Sequence, residues 1–299
     1  MLWLTVTISA YFLLAIVALI DKYLISGPIP NPKVYAFYVG ILGILALFLF
    51  PLGFLVPNSL DIILSLLAGA LYIFALLGLI GALQLFEASR IVPAIGGFLP
   101  LSTFGLVYLF SGGEKLGIFQ ILAFISLIIG SILITFEKAK FITLKSLEIS
   151  ALTAFLFSLA FVLSKFVYLT QPFWSGFIWM RIGGFLAALS FLFTKEVQRE
   201  IFAKKFTFQK KTGSIFLLVQ ALGGGAFILQ NWAIALVPLG FLAFVNALEG
   251  TKYVFLFAFA ILFSLKFPKI LREKISRETI LQKIAAILLI GAGLFLLTL

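Results

Sequence analysis

The 299-residue chain has no cysteine and no histidine. Their absence excludes disulfides, thiol nucleophiles, thiolate or imidazole metal sites, and every catalytic triad that uses a histidine base. Charge is also scarce, at 11% Asp, Glu, Lys and Arg, against about 25% in a soluble domain. No G-x-x-x-x-G-K-[ST] loop is present, so nothing in the chain would bind ATP to drive a pump. Gly223-Gly224-Gly225 lies inside an apolar run and lacks the strand and lysine that a phosphate loop requires. No metal or cofactor is expected. An enzyme acting within the membrane would have to work with serine, lysine or carboxylates, and no pair of these has a suggestive spacing, so the chain is read as a non-enzyme.

What the chain has in abundance is apolar surface: 63% of residues belong to the set AVILMFWYC, and mean hydropathy is +1.23. A membrane span needs about 20 largely apolar residues. Ten such runs cover residues 2–20, 34–55, 62–85, 91–111, 117–136, 149–169, 173–194, 213–235, 238–265 and 279–299. They are continuous rather than alternating, which argues for helices and against a membrane β-barrel. Turn chemistry separates several of them, in SGPIPNPK at 26–33, PNS at 57–59 and SGGEK at 111–115. The first run has no positive n-region and no small-residue cleavage site, so it reads as a span and not a secretory signal. The expected fold is an all-α integral membrane protein of ten transmembrane helices.

The 22 basic against 11 acidic residues, a formal charge of +11, would suggest a nucleic-acid partner in a soluble chain. Here the excess reads as membrane orientation, with no nucleic acid involved. With ten spans, the odd-numbered connections hold 18 basic residues, and the even-numbered ones only Lys115 and Lys165. Because Lys and Arg accumulate on the cytoplasmic side, the odd connections are assigned to the cytoplasm, both termini to the outside, and the protein to the cell membrane. The stretch from Lys195 to Lys211 reads as an interfacial segment attracted to anionic headgroups.

The chain also repeats itself. A shift of 143 aligns Gly40 with Gly183 and Phe48-Leu49-Phe50 with Phe191-Leu192-Phe193. Shifts of 151 and 161 align Ala70-Leu71 with Ala221-Leu222 and Ile129-Gly130 with Ile290-Gly291. The increments fall in long basic loops, where insertions cost little. A five-span repeat places its copies in opposite orientations, so residues 1–143 and 144–299 are expected to form two inverted five-helix repeats.

Glu87-Ala-Ser-Arg-Ile-Val-Pro93, Pro100, Gly113-Glu114, Gln120 and Gly130 together resemble the EamA-type repeat of the drug/metabolite transporter superfamily. The resemblance covers most of the first half. It implies ten helices, a central cavity between inverted halves, and export or exchange of small metabolites. The second half departs from the pattern, with Phe244 and Thr251 where the prolines are expected and no Gly-Glu after span nine.

Charged groups at the centre of a membrane helix cost about 2.5 to 3.5 kcal/mol on insertion scales and so need a reason. Span nine carries Asn246, Glu249, Lys252 and Tyr253, with Asn246, Glu249 and Tyr253 on one helical stripe. Glu249 and Lys252 are close enough to pair. They form either a neutral structural pin or a site in which Glu249 accepts a proton or binds substrate and Lys252 sets its proton affinity or binds an anionic group. Arg181 lies in span seven beside Trp179, opposite Tyr38 in the repeat alignment. Two buried cations against one buried carboxylate point to an anionic substrate, unless Glu87 or Asp21 serves as the partner. Span eight presents Gln220, Gly224, Phe227 and Asn231 on one face, suited to a cavity wall or to tight helix packing. Tyr72 sits at a similar depth in span three. Pro93, Gly97 and Pro100, with Gly96, loosen span four and, like Gly224, are gate or kink candidates.

The function these residues suggest is a secondary active transporter of a small organic metabolite, such as an amino acid or organic anion. It would act as a monomer or homodimer in the lipid bilayer, by alternating access, with proton coupling through Glu249. The alternative is a lipid-linked sugar flippase, which would need a lateral opening toward lipid, or a non-transporting subunit of a membrane complex.

Overall fold

The computed structural model describes residues 1–26, 31–111, 116–136, 143–202, 210–266 and 277–298. The Gly113-Glu114 turn and Lys115 lie outside the described residues, as do the side chains of Asp21, Lys22 and Arg90. Twelve α-helices and no strands occur among the described residues. In order they are α1 (Leu2–Ser26), α2 (Pro32–Leu42), α3 (Ser59–Leu85), α4 (Ala88–Ser111), α5 (Ile118–Thr135), α6 (Leu144–Thr170), α7 (Phe173–Ser190), α8 (Lys195–Phe202), α9 (Lys210–Leu236), α10 (Leu242–Ala247), α11 (Gly250–Lys266) and α12 (Arg277–Leu296). Short 3-10 segments continue α2 (Gly43–Leu52) and α7 (Phe191–Phe193) and lead into α10 (Leu239–Phe241).

Ten of the resulting rods are long and apolar enough to cross a membrane, and they coincide with the ten runs read from the sequence to within a few residues. Spans two and seven both end in a tightened 3-10 turn, and span nine is two helices, not one. The first part of the basic stretch after span seven forms α8, seated on Val197, which is buried. Large apolar side chains cover the outside, among them Phe48 at 82%, Phe193 at 87% and Leu109 at 76% exposure. In water such a surface would aggregate, but in hydrocarbon it carries no penalty.

Without a hydrophobic force between helices in lipid, packing relies on small residues that let backbones approach. The contact of α3 with α7 shows this most sharply. A Cβ at Gly69 would lie 1.8 Å from the Met180 carbonyl oxygen, and one at Gly183 would lie 2.2 Å from that of Leu66. Other close pairs are α3 with α6, α1 with α9, α4 with α6, and α5 with α12. α3 packs along α7, whereas among the described residues α9 makes no comparable packing against α2.

Polar contacts at the helix ends sort the connections into two faces. On one, Leu55 and Asp61 from the second connection meet the sixth: Ser175 Oγ and Trp179 Nε1 donate to the Leu55 carbonyl, and Thr170 Oγ1 donates to Asp61. On the other, Lys33 Nζ donates to Glu196 Oε1 at 2.9 Å, holding that carboxyl below its usual range, and Gln282 Nε2 donates to the Phe136 carbonyl. The first connection thus meets the seventh, and the fifth meets the ninth.

Lys165, counted from sequence with an even-numbered connection, instead lies inside α6 and is buried. Its Nζ donates to the Ala235 carbonyl at 2.9 Å. That carbonyl belongs to the last turn of α9, where backbone oxygens lack intrahelical donors and the helix dipole favours a cation.

Candidate functional site

A cavity of about 1400 Å³ lies among α1, α2 and its 3-10 continuation, α3, α4, the end of α5, α6, α7, α9, α11 and the start of α12. Arg181 is the ninth of eighteen residues of α7, and Tyr72 the fourteenth of twenty-seven in α3, so both stand near mid-length of their helices. Glu249 stands similarly mid-way along the Leu239–Phe259 span. From this level the cavity lining extends toward the face of the odd-numbered connections. There it includes Gln84 and Ala88 around the α3–α4 turn, Thr135 and Phe136 ending α5, and Lys283 near the start of α12. Toward the opposite face the lining extends to Leu49, Phe177 and Gln230. Near that end stands a ring cluster in which Phe173 lies 5.2 Å from Trp232 and 5.2 Å from Tyr168, and Trp174 lies 6.3 Å from Trp232, itself 41% exposed.

Glu249 sits where span nine breaks. A continuous α-helix would send the Glu249 N–H to the Val245 carbonyl. Instead Glu249 N donates to Asn246 O at 3.0 Å, and Thr251 N and Lys252 N likewise reach back only three residues. The Val245 carbonyl thus released accepts the Tyr11 hydroxyl at 2.9 Å. Glu249 accepts from Lys252 Nζ, and Tyr253 Oη lies 3.3 Å from the same carboxylate oxygen. Lys252 also rests over the Tyr253 ring at 4.7 Å. Tyr11, Glu249, Lys252 and Tyr253 all line the cavity, and the pair is only about one-sixth exposed.

Arg181 is the second charged feature of the wall. Its guanidinium lies 5.0 Å from the Phe227 ring centroid, and on its other side it crowds Gly43, where a Cβ would come within 2.7 Å of Nη2. Among the described residues no carboxylate is within ion-pair distance of it. Glu87, one of the two acids considered as its partner, is exposed at the start of α4 and is not part of the lining. Lys283, its Nζ 4.5 Å over the Phe257 ring, adds a third cation near the open end. The described lining therefore carries Arg181, Lys252 and Lys283 against Glu249 alone.

Of the residues singled out from sequence, Glu249, Lys252, Arg181, Gln220, Tyr72, Tyr253 and Gly224 line this space. The rest are not part of this lining. Asn246 is buried one turn before the break, its Nδ2 donating to Thr103 Oγ1 at 2.8 Å, so the continuous stripe drawn through Asn246 and Glu249 does not form. Asn231 turns toward α6, accepting from Tyr168 Oη at 3.0 Å, while its neighbour Gln230 takes the cavity wall. Trp179 donates to Leu55 O and stacks on Phe54. Tyr38 packs on Phe37 in the α2–α3–α7 core.

Pro93, Gly97 and Pro100 lie within an unbroken α4 and outside the lining; a Cβ at Gly97 would meet Ile132 of α5 at 3.0 Å. The interruption expected in span four is found in span nine instead. Gly223, Gly224 and Gly225 all face the cavity, and a Cβ at Gly224 or Gly225 would meet nothing within 4 Å. Of the two roles considered for this run, cavity wall and tight packing, the geometry matches the first. Sequence reasoning missed Tyr11, Gln84, Gln230 and Lys283. Tyr11 and Gln230, polar groups within apolar runs, carried a usable signal, but Gln84 and Lys283 sit at span ends where polar residues are ordinary.

No family model and no curated protein matches the chain. Among solved structures 23 chains match. One, described only as "Crystal structure of protein", is 18% identical, with a TM-score of 0.66 over 99% of this chain and 97% of that chain. The likeness concerns the fold, which is shared along nearly the whole of both chains.

Proposed function

We propose that the protein is a secondary active transporter of a small organic anion or amino acid, working by alternating access in the cell membrane. In this reading residues 1–143 and 144–299 are inverted five-helix halves, the basic connections face the cytoplasm and both termini lie outside. The paired packing of α1 on α9 and α3 on α6 supports the repeat, as do the 3-10 endings shared by spans two and seven. The resemblance to the EamA-type repeat points the same way.

The observation that carries the proposal is the Glu249–Lys252 pair at a backbone break, lining a cavity whose wall reaches from mid-span toward the face of the odd-numbered connections. Interrupted helices near the midplane are where transporters bind substrate and coupling ions. Glu249 takes up and releases the coupling proton, Lys252 holds the carboxylate in place, and Arg181 attracts the substrate anion.

Counterflow in proteoliposomes, with a panel of amino acids, organic acids, sugars and cationic drugs, tests this reading. Exchange of at least one anion or amino acid is expected, with the pH dependence lost in Glu249→Gln. Uptake of cations alone would overturn the anionic assignment, and normal transport with an unchanged pH profile in Glu249→Gln would remove proton coupling. The alternative of a lipid-linked substrate draws support from the gap between α2 and α9.

A further inference from the structure

The wall of the cavity between spans two and eight is built differently from the rest. From span two it is lined by Val39, Leu42, Leu45, Ala46 and Leu49, and from span eight by Leu217, Ala221 and the three glycines. Leu45 and Leu217 line the cavity and yet are 52% and 58% exposed. α9 is not packed against α2 among the described residues, so these two walls stand apart. The span-two side of this separation carries no polar side chain from Leu42 to Leu49, and span eight contributes Gln220 to the lining. At the inner end of this gap stands Arg181, its guanidinium held between Gly43 of span two and Phe227 of span eight.

From this juxtaposition we infer that the substrate is an amphipathic organic anion. Its carboxylate or phosphate head meets Arg181, and its alkyl tail lies in the gap between spans two and eight, open to the acyl chains. The inference rests on the transporter reading and narrows it. Size agrees with it: about 1400 Å³ exceeds the roughly 300 to 1,000 Å³ of ordinary small-molecule pockets. Charge agrees as well, because a buried cation with no carboxylate partner among the described residues gains most from an anionic ligand. The glycine trough in α9 leaves room for a tail where side chains would close it.

The test uses the full chain in lipid nanodiscs and radiolabelled decyl phosphate, displaced by carboxylates and alkyl phosphates of two to twelve carbons. Decanol and decyltrimethylammonium report simple accumulation in the bilayer. Medium-chain anions should displace the label, with aqueous affinity rising about fourfold per added methylene, while decyltrimethylammonium should not. Arg181→Gln should weaken the anions about 10- to 100-fold, and Arg181→Lys should restore part of that loss. Leu45→Trp, at an exposed position that leaves the fold intact, should weaken long-chain anions and spare short ones.

Equal affinity for acetate and decanoate, equal displacement by decyltrimethylammonium, or no effect of either Arg181→Gln or Leu45→Trp would overturn the inference. Proteoliposome exchange separates the two claims. Transport of short soluble anions with no chain-length preference would sink the amphipathic site and leave the transporter standing. Tight, Arg181-dependent binding of decyl phosphate without movement across the bilayer would do the reverse.

Discussion

A buried ion in a membrane is tolerated only with a partner, and three cations inside the described helices meet partners of different kinds. Lys252 has a carboxylate, Lys165 the carbonyl end of a helix, and Arg181 the face of Phe227 with Tyr72 nearby. The consequences of removing each differ. Lys252→Gln strands the Glu249 charge and should cost about 3 to 5 kcal/mol, whereas the double variant Glu249→Gln/Lys252→Gln should recover most of that loss. Thermal melts of the purified single and double variants followed by size exclusion would show it, and a double variant no more stable than the single would refute it. Lys165→Met leaves the end of α9 without its donor and should cost about 1 to 3 kcal/mol, with substrate affinity unchanged because Lys165 lies outside the cavity lining.

At the scale of the element, glycine means opposite things in α3 and α9. Gly69 has no space above it, since a Cβ there would lie 1.8 Å from Met180 O. Gly225 faces open space. Gly69→Ala should therefore force α3 and α7 apart and abolish the monodisperse protein. Gly225→Ala should fold and gain up to about 1 kcal/mol from helix propensity. Comparing the two melting temperatures decides it, and equal losses would show that both glycines are packing residues.

The same contrast marks the limit of element-level reading from sequence. The prolines of span four were conspicuous, yet α4 runs through both without interruption. The break in span nine has no proline within it and only Gly250 as a local cue. It is upheld from outside, by Tyr11 of α1 taking the freed Val245 carbonyl and by Asn246 donating to Thr103 of α4. Such long-range partners leave no mark on the local sequence.

For the whole molecule, the reach of the cavity lining toward the face of the odd-numbered connections gives a directional expectation. The chain has no cysteine, so single cysteines report position without background. Gln84→Cys should react with a membrane-impermeant maleimide only from the side of the basic connections, the cytoplasmic side in the proposed topology. Pro57→Cys, between spans two and three, should react from the opposite side, and Phe177→Cys should be protected from both. Labelling of Gln84→Cys and Pro57→Cys from the same side would contradict the arrangement of faces.

By itself the sequence marked the chain as helical, with ten runs long and apolar enough to cross a membrane, because bilayer thickness and backbone hydrogen bonding in hydrocarbon leave an apolar chain few other options. It also marked the rare charges at Arg181, Glu249 and Lys252, since a charge in an apolar run is conspicuous without any structure. Only the tertiary structure separated Gln230 from Asn231, and Tyr253 from Asn246, as residues of the wall or of the packing. A difference of one helical position, or a single tightened turn, redirects a side chain by a large angle. Which way it then points depends on neighbouring helices that lie far away along the chain.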